Sequence, residues 1–274
     1  MCGRPTIALP IRPALRRQPE TRMEILPIAL NTFREAVRDR VLYLILAFAV
    51  VMILASTVLG MLTVGGEEKI IEDFGLAMIA LFGTAAALFI GIGLVFKEID
   101  RRTVFTLLAK PIRRGQFLLG KFLGLALTLA VNLVVMAAAF FLLLAVRGLP
   151  AGGLWVAIWL TYFEILLVTA VAVLFSSFST PVLSALLAST VYVVGHLTWS
   201  LKLLEEMIES PAARATIRMV YLILPNLEHF NVRGDLVHGV PVSWGHIGFA
   251  TLYGLGYTTL ILLAATAIFE RRDF

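Results

Sequence analysis

Five stretches of this chain contain no Asp, Glu, Lys or Arg: residues 41–66, 74–96, 122–146, 165–201 and 247–269. About 18 or more consecutive apolar residues are enough to cross a ~30 Å hydrocarbon core as a helix. Composition agrees, with 59% hydrophobic and 15% charged residues against about 45–50% and about 25% in soluble domains. A soluble enzyme, a disordered tail and a disulfide-stapled secreted module are all excluded. The chain is expected to live in a membrane. Its one cysteine, Cys2, permits no internal disulfide and so reports no oxidising compartment.

The runs define the expected spans. The first covers about Val41–Val64, the second about Phe74–Phe96, and the third about Phe122–Val146. The run 165–201 is 37 residues, about 55 Å as a helix and too long for one crossing. It folds back at Ser176-Ser177-Phe178-Ser179-Thr180-Pro181, where hydroxyls and a proline disfavour helix. A fourth span therefore runs about Leu154–Phe178, a fifth about Pro181–Ser200, and the last about Trp244–Phe269. With both termini inside, the inner segments hold 17 Lys and Arg and the outer segments 6. That bias places the N- and C-termini in the cytoplasm. Trp155, Trp159, Trp199 and Trp244 all fall at outer ends of spans, where an indole favours the headgroup level. The net charge of +5 is on this reading an orientation signal, and no nucleic-acid partner is expected.

Several pieces lie between the spans. Residues 1–22, rich in Arg and Pro, read as a disordered cytoplasmic lead without a signal-peptide core, with Met23 as an alternative start. Residues 23–40 read as an amphipathic helix. Ile25, Ile28, Ala29, Phe33, Ala36 and Val37 make one apolar stripe, and Asn31, Arg34, Glu35 and Arg38 take the other side. Such a helix lies along the inner membrane surface or packs on a partner.

The loop 97–121 has seven basic residues among 25, yet Val104, Phe105, Leu107 and Leu108 form an apolar knot inside it. Glu98 and Arg102 are spaced for i, i+4 support, Pro111 stops the helix, and Arg113-Arg114-Gly115 leads into the third span. Two readings stand: a docking element for a cytoplasmic partner, or a basic loop that sets topology and touches anionic lipid. Gly115–Lys121 fits GxxxxGK, but Phe122 stands where a nucleotide-binding loop needs Ser or Thr, and no strand precedes it. The chain is thus expected to bind no nucleotide or other cofactor and to be no ATPase. Gly120 and Gly124 form a GxxxG step that lets helices approach closely.

In the outer loop 202–243, Leu203–Ile208 and Ala212–Leu224 read as two short helices dipping toward the membrane, broken by Ser210-Pro211 and ended by Pro225. His229 and His238 with Glu228 and Asp235 lack any specific ligand spacing, so no metal site is expected. Glu164 is the one formally charged side chain within a span. An isolated acid there costs at least a few kcal/mol and faces a partner, a cavity or an interface. It reads as a substrate-path contact or proton relay, or else as a protonated acid bonded between helices. Asn132 and His196 read as interhelical hydrogen bonders.

The order of these elements is itself informative. Six spans follow an amphipathic helix. The string Glu98-Ile-Asp-Arg-Arg-Thr-Val-Phe-Thr-Leu-Leu-Ala-Lys-Pro-Ile-Arg-Arg leads into Phe117-Leu-Leu-Gly-Lys-Phe, and the chain ends Phe269-Glu-Arg-Arg-Asp-Phe274. Over residues 24–274 this resembles the ABC-2 type permeases, the membrane subunits of ABC exporters, and within them the multi-copper enzyme maturation (nitrous-oxide-reductase maturation) branch. The resemblance implies an all-α polytopic fold, with residues 41–274 as the six-span permease domain. Two copies pair, as a homodimer, in a bacterial or archaeal cytoplasmic membrane. Each copy is engaged by a separate cytoplasmic ATPase that carries the ATP and Mg²⁺.

The family's coupling helix maps onto the loop 97–121, with Glu98, Arg101, Arg102, Thr103, Leu107, Leu108 and Pro111 as matching positions. Val104, Phe105, Lys110, Arg113 and Arg114 complete the expected ATPase contact. Closure of the ATPase then pushes the Ile99–Lys110 helix and rocks the subunits. The helical insertion before the last span maps onto Leu203–Leu224. A subunit that transmits force to a periplasmic partner without exporting fits the same family. An ion-coupled secondary transporter fits less well, because paired intramembrane charges and repeated halves are absent. With Glu164, Asn132 and a few hydroxyls inside, no cationic cluster and no sulfur-rich path, a hydrophobic or amphipathic substrate fits best.

Overall fold

The computed structural model describes residues 25–39, 41–62, 66–100, 114–208 and 210–271. Among them the structure is helical, with no strand. Ten α-helices run α1 (Ile25–Asp39), α2 (Val41–Leu62), α3 (Glu67–Asp100), α4 (Arg114–Arg147), α5 (Leu154–Ser176), α6 (Pro181–His196), α7 (Thr198–Met207), α8 (Pro211–Ile223), α9 (Arg233–Val237) and α10 (Trp244–Arg271). A 3₁₀ turn at Leu227–Phe230 sits between α8 and α9. Among the described residues four stretches are long and apolar enough to cross a membrane: Glu67–Gly93, Gly115–Arg147, Leu154–Ser176 and Trp244–Phe269. Ala47–Val58 and Pro181–His196 are shorter apolar helices.

The long helices alternate in direction. Arg147 at the end of α4 reaches Glu67 at the start of α3 (3.4 Å) and the Ser56 hydroxyl in α2 (3.2 Å). The Trp155 and Trp244 rings bring the starts of α5 and α10 to the same end, 6.1 Å apart. We call this the loop end. Helix α5 is the centre of the bundle and packs on α3, α4, α6 and α10. It is largely apolar, as a mostly enclosed helix should be: Leu160, Ile165, Leu167 and Ala170 have almost no exposure, while Trp155 and Trp159 near its start are exposed.

Local chemistry sets the boundaries. Helix α5 stops where the Ser176 and Ser177 hydroxyls donate back to the Val173 and Leu174 carbonyls, competing with the helical ladder. Pro181 then opens α6 after an extended Thr180, the position where a missing N–H costs nothing. At the end away from the loops, α1 lies against the start of α4. Ala29 and Thr32 are buried there while Leu26 and Arg34 are exposed. The approach is close enough that a Cβ on Gly124 would sit 2.5 Å from the Ala29 carbonyl oxygen, and one on Gly120 2.9 Å from the Ile28 side chain. The GxxxG step is therefore the seat of α1.

Two features refine the expected spans. The fifth is not one helix: it ends at His196 and resumes at Thr198 after a single residue, Leu197. Its first part has 16 residues, about 24 Å, less than a ~30 Å core. Helices α7 and α8 pack side by side, joined by Arg218 and Glu205 (Nε to Oε1, 2.8 Å).

The return from α8 is anchored on α10. The Tyr257 hydroxyl donates to the Ile223 carbonyl (2.6 Å), and the Asn226 N–H donates to the Tyr253 hydroxyl (2.8 Å). Counted from Trp244, those tyrosines lie about 14 and 20 Å along α10. The end of α8 and the non-helical backbone after it are thus tied to α10 well below its start, each through a polar backbone group bonded to a tyrosine hydroxyl.

Candidate functional site

One group of charged and polar residues gathers where α6 breaks. Glu164 projects from α5 about ten residues from the loop end and is 4% exposed. Its Oε1 lies 2.9 Å from His196 Nε2, at the last residue of α6. The other imidazole nitrogen, Nδ1, is 3.9 Å from Glu228 Oε2 on the 3₁₀ turn, a distance at which attraction is electrostatic rather than a hydrogen bond. Tyr192, one helical turn before His196, sets its ring edge-on to the imidazole at 4.8 Å. Next along the chain, Arg233 of α9 reaches back to Asp73 of α3 (Nε to Oδ1, 2.7 Å).

The backbone that carries these groups is held by Asn226. Its Oδ1 accepts from the Glu228 N–H (3.0 Å). The Thr198 hydroxyl lies 2.7 Å from both Asn226 Oδ1 and the Gly195 carbonyl, its single proton serving one at a time. Gly195 is required for this approach: a Cβ there would stand 2.7 Å from Leu227 and 3.0 Å from the Pro225 carbonyl oxygen.

These groups border a cavity of about 350 Å³ between α3, α5, α6 and the 3₁₀ turn. Leu76, Met78, Ala157, Phe230 and Val232 give it apolar walls, and Thr161, Glu164, Tyr192, His196 and Arg233 give it polar points. A mainly apolar cleft with a few convergent polar groups is the usual form of a small-molecule site. On the lining itself Glu164 is the one carboxylate, beside Arg233 and His196. Asp73 pairs with Arg233 and Glu228 stands 3.9 Å from His196, so the connected group holds three carboxylates against one guanidinium and one imidazole.

Glu164 therefore has a partner, His196, supplied by the neighbouring helix. His196 does bond between helices, as expected. Asn132 does not join this group. It is buried on α4, 1% exposed, and its Oδ1 accepts no hydrogen bond among the described residues. The expectation of an interhelical bond from Asn132 is not met.

Of the expected ATPase contact, Glu98 lies in the last turn of α3 and Arg114 is the first residue of α4. Arg101, Arg102, Thr103, Val104, Phe105, Leu107, Leu108, Lys110, Pro111 and Arg113 lie outside the described residues. So do residues 1–22.

The other histidines of the loop end have their own places. His229 lies between the rings of Phe249 (5.4 Å) and Tyr253 (5.3 Å). Burial there, with His246 nearby, holds it below the ordinary histidine value, against a smaller upward pull from Glu228. His246 Nε2 meets the His229 carbonyl (3.0 Å), and His238 Nδ1 meets the Gly234 carbonyl (2.8 Å). Among the described residues no three His, Cys, Asp or Glu side chains are grouped to hold a metal ion.

This arrangement, a bundle of long apolar helices with a break between α6 and α7 and a short-helix insertion before the last helix, has a match among protein families. Residues 26–274 match the family described as ABC-2 family transporter protein. The chain belongs to that family. No curated protein matches it significantly. As an ABC-2 family member the chain is a multi-pass membrane component of an ABC transporter, and such subunits normally work with a cytoplasmic ABC ATPase. The apolar helices of the bundle fit that role. The narrower placement in the copper-enzyme maturation branch gains no support from the match.

Proposed function

We propose that the chain is the permease subunit of an ABC exporter, coupling ATP hydrolysis on a separate cytoplasmic ATPase to outward movement of substrate. Six crossings are formed by α2, α3, α4, α5, α6 with α7, and α10. The basic excess of the end carrying α1 and the 97–121 loop sets that end in the cytoplasm, with both termini. Two copies pair in a bacterial or archaeal cytoplasmic membrane, their exposed apolar faces shared between lipid and each other. ATP and Mg²⁺ belong to the partner, and the chain itself holds no cofactor.

One observation carries the coupling: α3 and α4 each have 34 residues, about 51 Å, well beyond a ~30 Å core. Both are longer than their crossings, and the segment with the apolar knot joins them. Force applied to that segment would act on two helices at once. One of them, α3, lines the Glu164 cavity.

The chain co-expressed with its ATPase and reconstituted in lipid tests this. Leu107→Asp with Leu108→Asp is expected to reduce permease-dependent ATP hydrolysis at least ten-fold while the helical circular dichroism stays unchanged. Hydrolysis at the parental rate would overturn the docking role.

A further inference from the structure

We infer that the cavity beside Glu164 is a binding site for an amphipathic monocation, a protonated amine on a compact apolar body. As a substrate site it rests on the permease reading; as a binding site it does not.

The charge balance selects the cation. Arg233 is the only permanent cation on the lining, and its guanidinium is committed to Asp73 at 2.7 Å. An anionic ligand would have to break that pair and would also face Glu164. A cation meets Glu164 4% exposed, a carboxylate whose one hydrogen-bond partner among the described residues is His196. With so little of Glu164 open to solvent, an ammonium–carboxylate contact there is stronger than on a surface.

The walls select the rest of the ligand. Leu76, Met78, Ala157, Phe230 and Val232 offer an apolar bed, and about 350 Å³ lies at the small end of ligand sites. Leu81, a lining residue on α3, is 54% exposed. An amphiphile dissolved in the bilayer could enter from there. The imidazole of His196 occupies the place the ammonium would take, and so acts as the internal stand-in for the ligand.

Three probes of one shape separate the possibilities: 1-naphthylmethylamine, 1-naphthylmethanol and 1-naphthoate, measured by equilibrium dialysis against the full chain in lipid nanodiscs. Empty nanodiscs correct for partition into lipid. The amine should bind saturably and at least ten-fold more tightly than the alcohol, with the naphthoate weakest. Glu164→Gln should lower amine affinity at least ten-fold and leave the alcohol unchanged. His196→Gln removes the competing imidazole and keeps a hydrogen-bonding side chain. It should bind the amine as tightly as the parent or more so.

Equal binding of amine and alcohol, tightest binding of the naphthoate, or an unaltered amine affinity in Glu164→Gln would overturn the assignment. So would a ten-fold loss of the amine in His196→Gln. If Glu164→Gln fails to fold, the order of the three probes on the parent and the His196→Gln result still decide. No ATPase is present, so failure of the coupling proposal leaves this result standing. Loss of amine binding with coupled hydrolysis intact would overturn the ligand class alone.

Discussion

Gly124 shows how a single missing methyl group places an element. In an exposed helix Gly→Ala stabilises by up to about 1 kcal/mol. Here the new Cβ would lie 2.5 Å from the Ala29 carbonyl oxygen and 2.5 Å from Thr32 Cβ, neither of which can rotate away. Overpacking of that kind costs typically 1–3 kcal/mol, so the clash outweighs the propensity gain. Gly124→Ala should lower the detergent-solubilised melting temperature by several degrees. Gly256→Ala is the control, because nothing lies within 4 Å of the added methyl group on α10, and it should be neutral or stabilising. Equal behaviour of the two would remove α1 from its seat on α4.

His229 makes a second residue-level case. Its proton affinity is held below the ordinary value of 6.5, first by burial. Below pH 6.5 the unfolded chain therefore takes up a proton that the folded chain resists. The contribution to stability is full above the unfolded value and is lost as pH falls through the lower folded one. His229→Phe, which keeps a ring between Phe249 and Tyr253, should show a smaller loss of melting temperature from about pH 7 to 5 than the parent. Identical pH profiles would count against this burial effect.

The site itself was half legible in the sequence. Glu164 stands out because an acid in an apolar run needs a reason. His196 reads from the sequence as an interhelical hydrogen bonder, but its pairing with Glu164 was hidden, because the two lie 32 residues apart on different helices.

At the level of elements, the legible boundaries are those with their own local chemistry. Leu154 after two glycines, Pro181 after a hydroxyl-rich turn and Trp244 after a proline segment all open helices where the sequence places them. The break at Leu197 has no such mark. It lies inside a 37-residue uncharged run, and its cause is tertiary: Gly195, Thr198 and Asn226 hold the returning backbone against α6. The depth of that return was equally hidden, since it depends on hydroxyls of Tyr253 and Tyr257 that periodicity cannot distinguish from packing.

A prediction follows from the Tyr253 bond. In Tyr253→Phe the ring contacts to His229 and Phe249 remain, but the Asn226 N–H loses its acceptor. An unpaired buried amide costs about 1–3 kcal/mol. Amide exchange should therefore accelerate at least ten-fold over residues 223–231, and remain unchanged in α3–α5. Uniform acceleration throughout the bundle would mean that the segment has no independent anchor.

For the whole molecule, the alternating helices turn a question of orientation into a two-position measurement. The turn 148–153 leaves Ala151 exposed at the loop end, and Arg34 is exposed on α1, at the opposite end of α4. Helix α4 is long and apolar enough to cross a membrane, so these two positions should lie on opposite sides of it. The sign is the one proposed above: by sequence, 17 Lys and Arg fall on the segments read as inner and 6 on those read as outer, the basis for proposing that the α1 end lies inside. In a Cys2→Ser background, which removes the native thiol, Ala151→Cys should react with a membrane-impermeant maleimide in intact spheroplasts. Arg34→Cys should react only after the membrane is opened. The reverse pattern would keep the fold and invert the transporter, making the Glu164 cavity open nearer the cytoplasmic face. Labelling of both in intact cells would place the two ends of α4 on one side and overturn the crossing itself.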